Sequence, residues 1–206
     1  SNYDITALLT QLFTSSWFYD AANFGIKIKS PVELLAGIQR MLPIKIENQN
    51  TLLTVQRILG QVLLYPPNVA GWPGGKSWID SSTLMMRMRL PGLMNDTDNL
   101  NVKPKDDDDQ MMGRKDDETV AAPLKPSNKR NRTKLFNTTI NWEKYIQHFA
   151  AVPKAALIHA IAGVLLNTDS QLPDNLINQH VDVSSKENFI KSATIQIMSL
   201  PEYQLC

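Results

Sequence analysis

Apolar residues recur at spacings of three and four along most of the chain, and a proline or a capping residue bounds each such segment. This period belongs to helices with one buried face, whereas strands alternate with a period of two. No long run alternates with period two, and β-branched runs are scarce. The sequence therefore predicts an all-α fold, an irregular multi-helix domain without an internal repeat.

The clearest helix start is the tetrapeptide Ser30 to Glu33, in which serine stands at the N-cap, proline at the first helical position and glutamate where a capping box needs it. An earlier amphipathic helix is predicted from Asp4, as its N-cap, to about Trp17. We interpret the aromatic stretch Trp17 to Asp20 mainly as core. The further helices are predicted at Thr51 to Leu64, Asp80 or Ser81 to Gly92, Asn141 to Phe149, Pro153 to Asn167, Pro173 to His180, and Ser184 to Leu200.

The character of the chain changes from about Leu93 to Leu135, which is polar and charged and contains KPKDDDDQ, GRKDDE and PSNKRNR. Such a segment cannot bury enough apolar surface to offset the entropy lost on ordering. We therefore expect a long, disordered, charged insertion at 93–135. It would separate an N-terminal helical cluster, 1–92, from a C-terminal helical cluster, 136–206, that packs on the first.

Charge and composition narrow the classes of partner. With 21 Lys and Arg against 20 Asp and Glu, the formal net charge is +1, which gives no electrostatic reason to expect nucleic acid. The longest apolar runs fall short of the roughly 20 residues of a transmembrane helix, so we expect no membrane span in this chain. Polysaccharides, neutral small molecules and proteins remain as partner classes.

No motif indicates a metal or a cofactor, and we expect neither. The single cysteine, Cys206, excludes a thiolate zinc cluster, and no paired histidine spacing is present. His159 lies in the most apolar predicted helix, where we expect a hydrogen-bonded core imidazole rather than a ligand. Nucleophile elbows and nucleotide-binding glycine loops are also missing from the sequence.

The loop PPNVAGWPGGKSWID, Pro66 to Asp80, combines three glycines and three prolines with two tryptophans. Glycine permits backbone angles that other residues resist, and an indole offers a flat surface suited to stacking on a sugar ring or a peptide. In the alternative, both tryptophans fold inward and the loop is a folding device. The candidate ligand-binding residues are Asn68, Trp72, Lys76, Trp78 and Asp80.

Two long stretches, SSWFYDAANFGIKIKSPVELLAGIQRML and QRILGQVLLYPPNVAGWPGGKSWID, resemble an uncharacterised bacterial family catalogued as domain of unknown function 1800, as does the closing IMSLPEYQLC. The family has no established activity. Its members are usually longer, so the chain resembles their C-terminal part. Similar motifs in large secreted or envelope proteins imply a periplasmic, cell-envelope or secreted location. The motif KIKSPVE implies that Lys27, Lys29 and Glu33 belong to the surface of the loop.

Two functional hypotheses follow. The favoured one is a non-catalytic binding or scaffolding module of an exported bacterial protein, in which the loop presents a rigid surface to a polysaccharide or a protein. The rival is part of a hydrolase-like enzyme whose active site a missing N-terminal region completes, with Asp80, Lys76 or Glu33 as polar contributors. A carboxylate in an aromatic pocket would have a raised pKa and act as a general acid. No catalytic residue is assigned.

Overall fold

The computed structural model describes residues 4–48, 50–96, 136–167 and 174–206, with the backbone alone for 174–176. Within these ranges the regular secondary structure is helical apart from one small sheet and one isolated bridge, between Ile28 and Leu205, so the all-α prediction is confirmed. Most of the predicted insertion, 97–135, lies outside the described residues. The elements are α1 Ile5–Thr14, α2 Pro31–Met41, β1 Ile44–Ile46, α3 Asn50–Ile58, α4 Ser81–Met94, β2 Thr138–Ile140, α5 Glu143–His148, α6 Leu157–Leu165, α7 Asp174–His180 and α8 Lys186–Met198.

The capping box predicted for α2 is confirmed. The Ser30 side chain accepts a hydrogen bond from the Glu33 N–H at 3.3 Å, and Glu33 Oε2 accepts one from the Ser30 N–H at 2.7 Å. These bonds satisfy two of the backbone donors that a helix start leaves unpaired. Since the start is fixed, α2 turns Leu34, Leu35 and Ile38 into the core.

Helix α3 is shorter than predicted, because it ends at Ile58 rather than at Leu64. Gly60 takes a left-handed conformation with φ at 85°, and the Gln61 N–H donates to the Gln56 carbonyl at 2.9 Å. This is a glycine-based helix end, in which the missing Cβ makes a positive φ inexpensive. The residues that follow leave the helical stripe, and Leu63 is exposed.

Helix α4 begins at Ser81 as predicted but continues through Pro91 to Met94. Pro91 is buried, and its carbonyl still accepts a hydrogen bond from the Asn95 N–H at 3.0 Å. Leu93 and Met94, which we had assigned to the charged insertion, are buried in the core. That boundary was wrong, because the apolar stripe of α4 runs on beyond the proline.

Helix α8 lies at the centre of the packing, where it contacts α4, α5, α6 and α7. The core is one continuous cluster that draws on helices from both sides of 97–135. Strands β1 and β2 also join the two sides, because they pair antiparallel with Ile44 opposite Ile140. None of the described helices combines the length and the apolarity needed to cross a membrane.

Candidate functional site

The two tryptophans of the candidate loop differ in exposure. Trp78, in the short 3₁₀ helix Gly75–Trp78, is only 6% exposed, whereas Trp72 is half-buried. Gly71 and Gly75 have φ of 88° and 58°, so the path that brings Trp78 inward uses the conformational freedom of glycine. For Trp78 the geometry favours the folding-device alternative, and Trp72 is the tryptophan of the loop with surface left for a ligand.

The carboxylate of Asp80 caps α4. Its Oδ1 accepts hydrogen bonds from the N–H groups of Ser82 and Thr83, both at 2.8 Å, and from the Ser82 hydroxyl at 2.6 Å. The Ser82 hydroxyl and then the Thr83 N–H lower the pKa of Asp80 to about 2. A general acid needs the opposite shift, so this carboxylate is set up as a helix cap rather than as a proton donor.

The other polar candidates of the loop are engaged locally or point to solvent. Asn68 Oδ1 accepts from the Ala70 N–H at 2.8 Å, which closes a turn within the loop. Lys76 is exposed, and it forms no ion pair with any acidic group in the described ranges. No acid of the described chain therefore lies at ion-pair distance from Lys76.

The residues that the family motif links to the loop form a separate group in front of α2. Lys27 Nζ lies 2.5 Å from Glu33 Oε1, and this hydrogen bond, followed by the one from the Ser30 N–H, lowers the pKa of Glu33. Lys29 Nζ donates to the Tyr203 carbonyl at 2.7 Å and lies 4.0 Å from the centre of its ring. The Val32 N–H donates to Gln61 Oε1 at 3.0 Å, which ties the start of α2 to the segment between α3 and the loop rather than to the loop itself.

The buried side of α4 holds an arginine that our sequence analysis missed. Arg87 is fully buried, and burial lowers its pKa to about 10, so it is charged at neutral pH. It donates to Gln204 and to the Lys29 carbonyl, and no described side chain accepts from its Nη1. A helical wheel anchored on Leu90 and Met94 would have placed Arg87 on the inner face.

Helix α1 carries an apolar stripe that nothing in the described chain covers. The helix has no buried residue, and Ile5 is 69% exposed. Phe13 makes an edge-to-face contact with Phe18 in the 3₁₀ helix that follows, Ser16–Tyr19. Our interpretation of this aromatic stretch as core was wrong, because Trp17 and Tyr19 are mostly exposed. The surface, called the α1 face below, consists of Ile5, Leu8, Leu9, Phe13, Trp17 and Tyr19.

A second exposed apolar surface precedes the tryptophans. Leu63, Leu64, Tyr65 and Val69 all project into solvent, and Leu64 is 87% exposed. Leu64 also has φ at 62°, a left-handed conformation that is strained for a branched side chain. The Tyr65 N–H donates to the Val62 carbonyl at 3.0 Å and closes a turn that holds Leu64 in this conformation, but the turn does not explain why four apolar side chains stay in solvent. The segment from Leu63 to Val69, which leads into the loop, is therefore a candidate contact surface.

In the described ranges no three His, Cys, Asp or Glu side chains are grouped so that they could hold a metal ion.

His159 is exposed on α6, so the expectation of a core imidazole was wrong. The apolar residues of α6 occupy the other side of the helix, where Leu157, Ile161 and Leu165 are buried.

The comparisons with known proteins give one match. The sequence model of the family described as "Protein of unknown function (DUF1800)" matches residues 1–205, which is nearly the whole chain. The resemblance stated from the loop motif is thereby confirmed. No curated protein and no solved structure matches the chain.

Proposed function

The chain belongs to the DUF1800 family, and on this premise we propose that it is a non-catalytic binding module whose α1 face docks on a polypeptide of different sequence. The observation that carries the proposal is that α1 has an apolar stripe at helical spacing and yet buries no residue. An isolated helix of this length is marginal in water, and its stability normally comes from packing of its apolar face. A partner surface would supply that packing.

The chemistry of α1 favours a protein over a membrane or a polysaccharide. From Ile5 to Thr14 the sequence contains no charged residue, whereas helices that lie on anionic membranes carry Lys and Arg on the polar face. Sugar recognition needs polar groups that hydrogen-bond hydroxyls, and on the α1 face these are confined to the aromatic end, at the Trp17 ring N–H and the Tyr19 hydroxyl. The stripe along the helix, with Leu8 and Leu9, offers none. The complementary partner is therefore an uncharged, apolar helix face.

The size of the α1 face is sufficient for recognition. Its three aromatic side chains are each about half exposed, which leaves an area on the order of 300 Å² if each has roughly 150 to 250 Å² to bury. Ile5, Leu8 and Leu9, which are 69%, 63% and 44% exposed, extend this apolar area along the helix. One side of a standard protein interface covers about 800 Å². Edge-to-face contacts of Phe18 with Phe13, Trp17 and Tyr19 hold the aromatic end together.

The enzymatic alternative has less support. Among its proposed polar contributors, Asp80 and Glu33 have lowered pKa values and are held in local hydrogen bonds, and Lys76 has no partner group in the described ranges. An exported location in the bacterial envelope is part of our proposal, and it rests on the resemblance of the motifs alone.

Selection from a display library of helical peptides tests the docking proposal. The library is screened against the chain, and enriched peptides are measured by interferometry against a Leu8→Glu, Phe13→Glu variant. The matched control, Thr10→Glu with Gln11→Glu, adds the same charge to the polar side of α1. We expect enriched peptides to be amphipathic helices with few charges. They should bind the control within about twofold of the unmodified chain and the α1-face variant at least about tenfold more weakly.

Three outcomes would overturn the proposal. Peptides that bind both variants equally would place the contact elsewhere, and sedimentation that shows a dimer lost only in the Leu8→Glu, Phe13→Glu variant would make the occupant a second copy. Binding to phosphatidylcholine vesicles through the same residues would make it a lipid surface. A glycan array with Trp72→Ala tests the polysaccharide alternative, for which we expect no signal.

A further inference from the structure

We propose that a groove on the C-terminal helices, independent of the α1 face, binds a carboxylate group carried on a small apolar body. The groove has a volume of about 320 Å³ and lies where the start of α6, helix α7 and the start of α8 meet. Its volume is at the lower end of the range for ligand sites, which suits a small molecule.

The floor of the groove is apolar and its rim is polar. Ile158 and Phe189 form the floor and are buried, so the floor belongs to the packed core. Lys154, His159 and Asn178 stand on the rim and are exposed. An apolar floor with a few polar groups around it is the usual composition of a small-molecule site.

The charge of the lining selects an anion. Lys154 contributes a positive charge, with Nζ placed 5.5 Å from the centre of the Phe189 ring, and among the side chains that the structure describes no Asp or Glu lines the groove. Val183 lines the groove, and its neighbour in sequence is the acid Asp182. The Oδ1 of Asp182 accepts a hydrogen bond from the Ser184 N–H at 2.9 Å. A carboxylate can accept a charge-assisted hydrogen bond from Lys154 and a neutral one from the Asn178 amide.

The walls are held by hydrogen bonds that do not involve the ligand. Lys186 donates from Nζ to the carbonyls of Ala150 and Val152, at 2.6 and 2.8 Å, and so fixes the turn that leads to Lys154. On the other side, the Asp182 N–H donates to Ser192 Oγ at 2.9 Å and fixes the segment before Val183. Because hydrogen bonds to α8 already order both walls, ligand binding loses little free energy to further ordering of the protein.

The test is a titration followed by NMR with 3-phenylpropionate as the probe and its neutral amide as the matched ligand. We expect shifts of Ile158 and Asn178 signals with a dissociation constant in roughly the millimolar range, and clearly weaker binding of the amide. Lys154→Gln should weaken binding of the acid about threefold to tenfold. Lys144→Gln, the same charge change outside the groove, should leave it unaltered.

A second titration separates two sources of the carboxylate, a small free acid and the C-terminus of a polypeptide. Its probe is a peptide that ends in phenylalanine, with either a free or an amidated C-terminus. We expect 3-phenylpropionate to bind at least as tightly as the free peptide, and tighter binding of the peptide would overturn the small-molecule assignment. Equal shifts with acid and amide, equal losses in Lys154→Gln and Lys144→Gln, or the absence of shifts would overturn the site. Lys154 is exposed, so its replacement does not endanger folding, and none of these results bears on the α1 face.

Discussion

The guanidinium of Arg87 donates from Nε to Oε1 of Gln204 at 3.1 Å, and both side chains are buried. From Nη2, Arg87 also donates to the carbonyl of Lys29. One side chain thus joins α4 to the segment before α2 and to the 3₁₀ helix Pro201–Gln204. In the described ranges no carboxylate pairs with this cation, so its hydrogen bonds and packing must offset the cost of burying the charge.

Removal of this side chain should destabilise the fold strongly. We expect Arg87→Ala to lower the free energy of unfolding by about 3 kcal/mol, because it opens a cavity and leaves the Lys29 carbonyl and Gln204 without their donor. Arg87→Met should cost less, since it refills the volume. Urea unfolding followed by circular dichroism measures both, with the exposed Arg40→Ala as control at about 0.5 kcal/mol or less. A loss in Arg87→Ala no larger than in Arg40→Ala would contradict the structural role.

The elements that sequence predicts well are those specified by local chemistry. The capping box of Ser30 and Glu33 needs only side chains within one turn, and the Asp80 cap of α4 is equally local. The end of α3 is signalled by Gly60, whereas the predicted end, Leu64, lies four residues further on beside two prolines.

What sequence could not predict depends on which surface the rest of the chain covers. The stripe on α1 has the same 3.6-residue period as the stripe on α2, yet α2 buries Leu34 and Ile38 and α1 buries nothing. Periodicity identifies an apolar face but not its partner. Trp72 and Trp78 differ for the same reason, because the direction of each indole follows from tertiary packing.

The two tryptophans of the loop should therefore respond differently to truncation. Trp78→Ala removes a buried ring and should lower the free energy of unfolding by about 3 to 5 kcal/mol, whereas Trp72→Ala, at a half-buried position, should cost less than about 2 kcal/mol. Thermal unfolding by circular dichroism measures both. Similar losses for the two variants would mean that both rings support the fold and that the loop holds no free indole.

The cap at Asp80 gives a pH dependence with a defined sign. Because its folded pKa, about 2, is below the ordinary value of 3.8, the carboxylate stabilises the fold above pH 4 and loses this contribution as pH falls toward 2. Asp80→Ala should cost about 1 kcal/mol at pH 7, as is typical of a lost cap. The difference from the unmodified chain should shrink between pH 4 and 2 in urea unfolding experiments. A difference that stays constant over this interval would show that the cap works independently of its charge.

The strained turn at Leu64 should become more stable when its side chain is removed. Leu64 has φ at 62° and is 87% exposed, so Leu64→Gly relieves the left-handed strain and sacrifices little burial. We expect the free energy of unfolding to rise by about 0.5 to 1 kcal/mol, or to stay level where the greater entropy of the unfolded glycine chain cancels the relief. Leu63→Gly is the matched control, since Leu63 is exposed without a positive φ. This substitution should lower the free energy of unfolding by about 0.5 to 1 kcal/mol. Equal losses in both variants would show that Leu64 stores no strain, and the case for a contact surface there would then rest on its exposure alone.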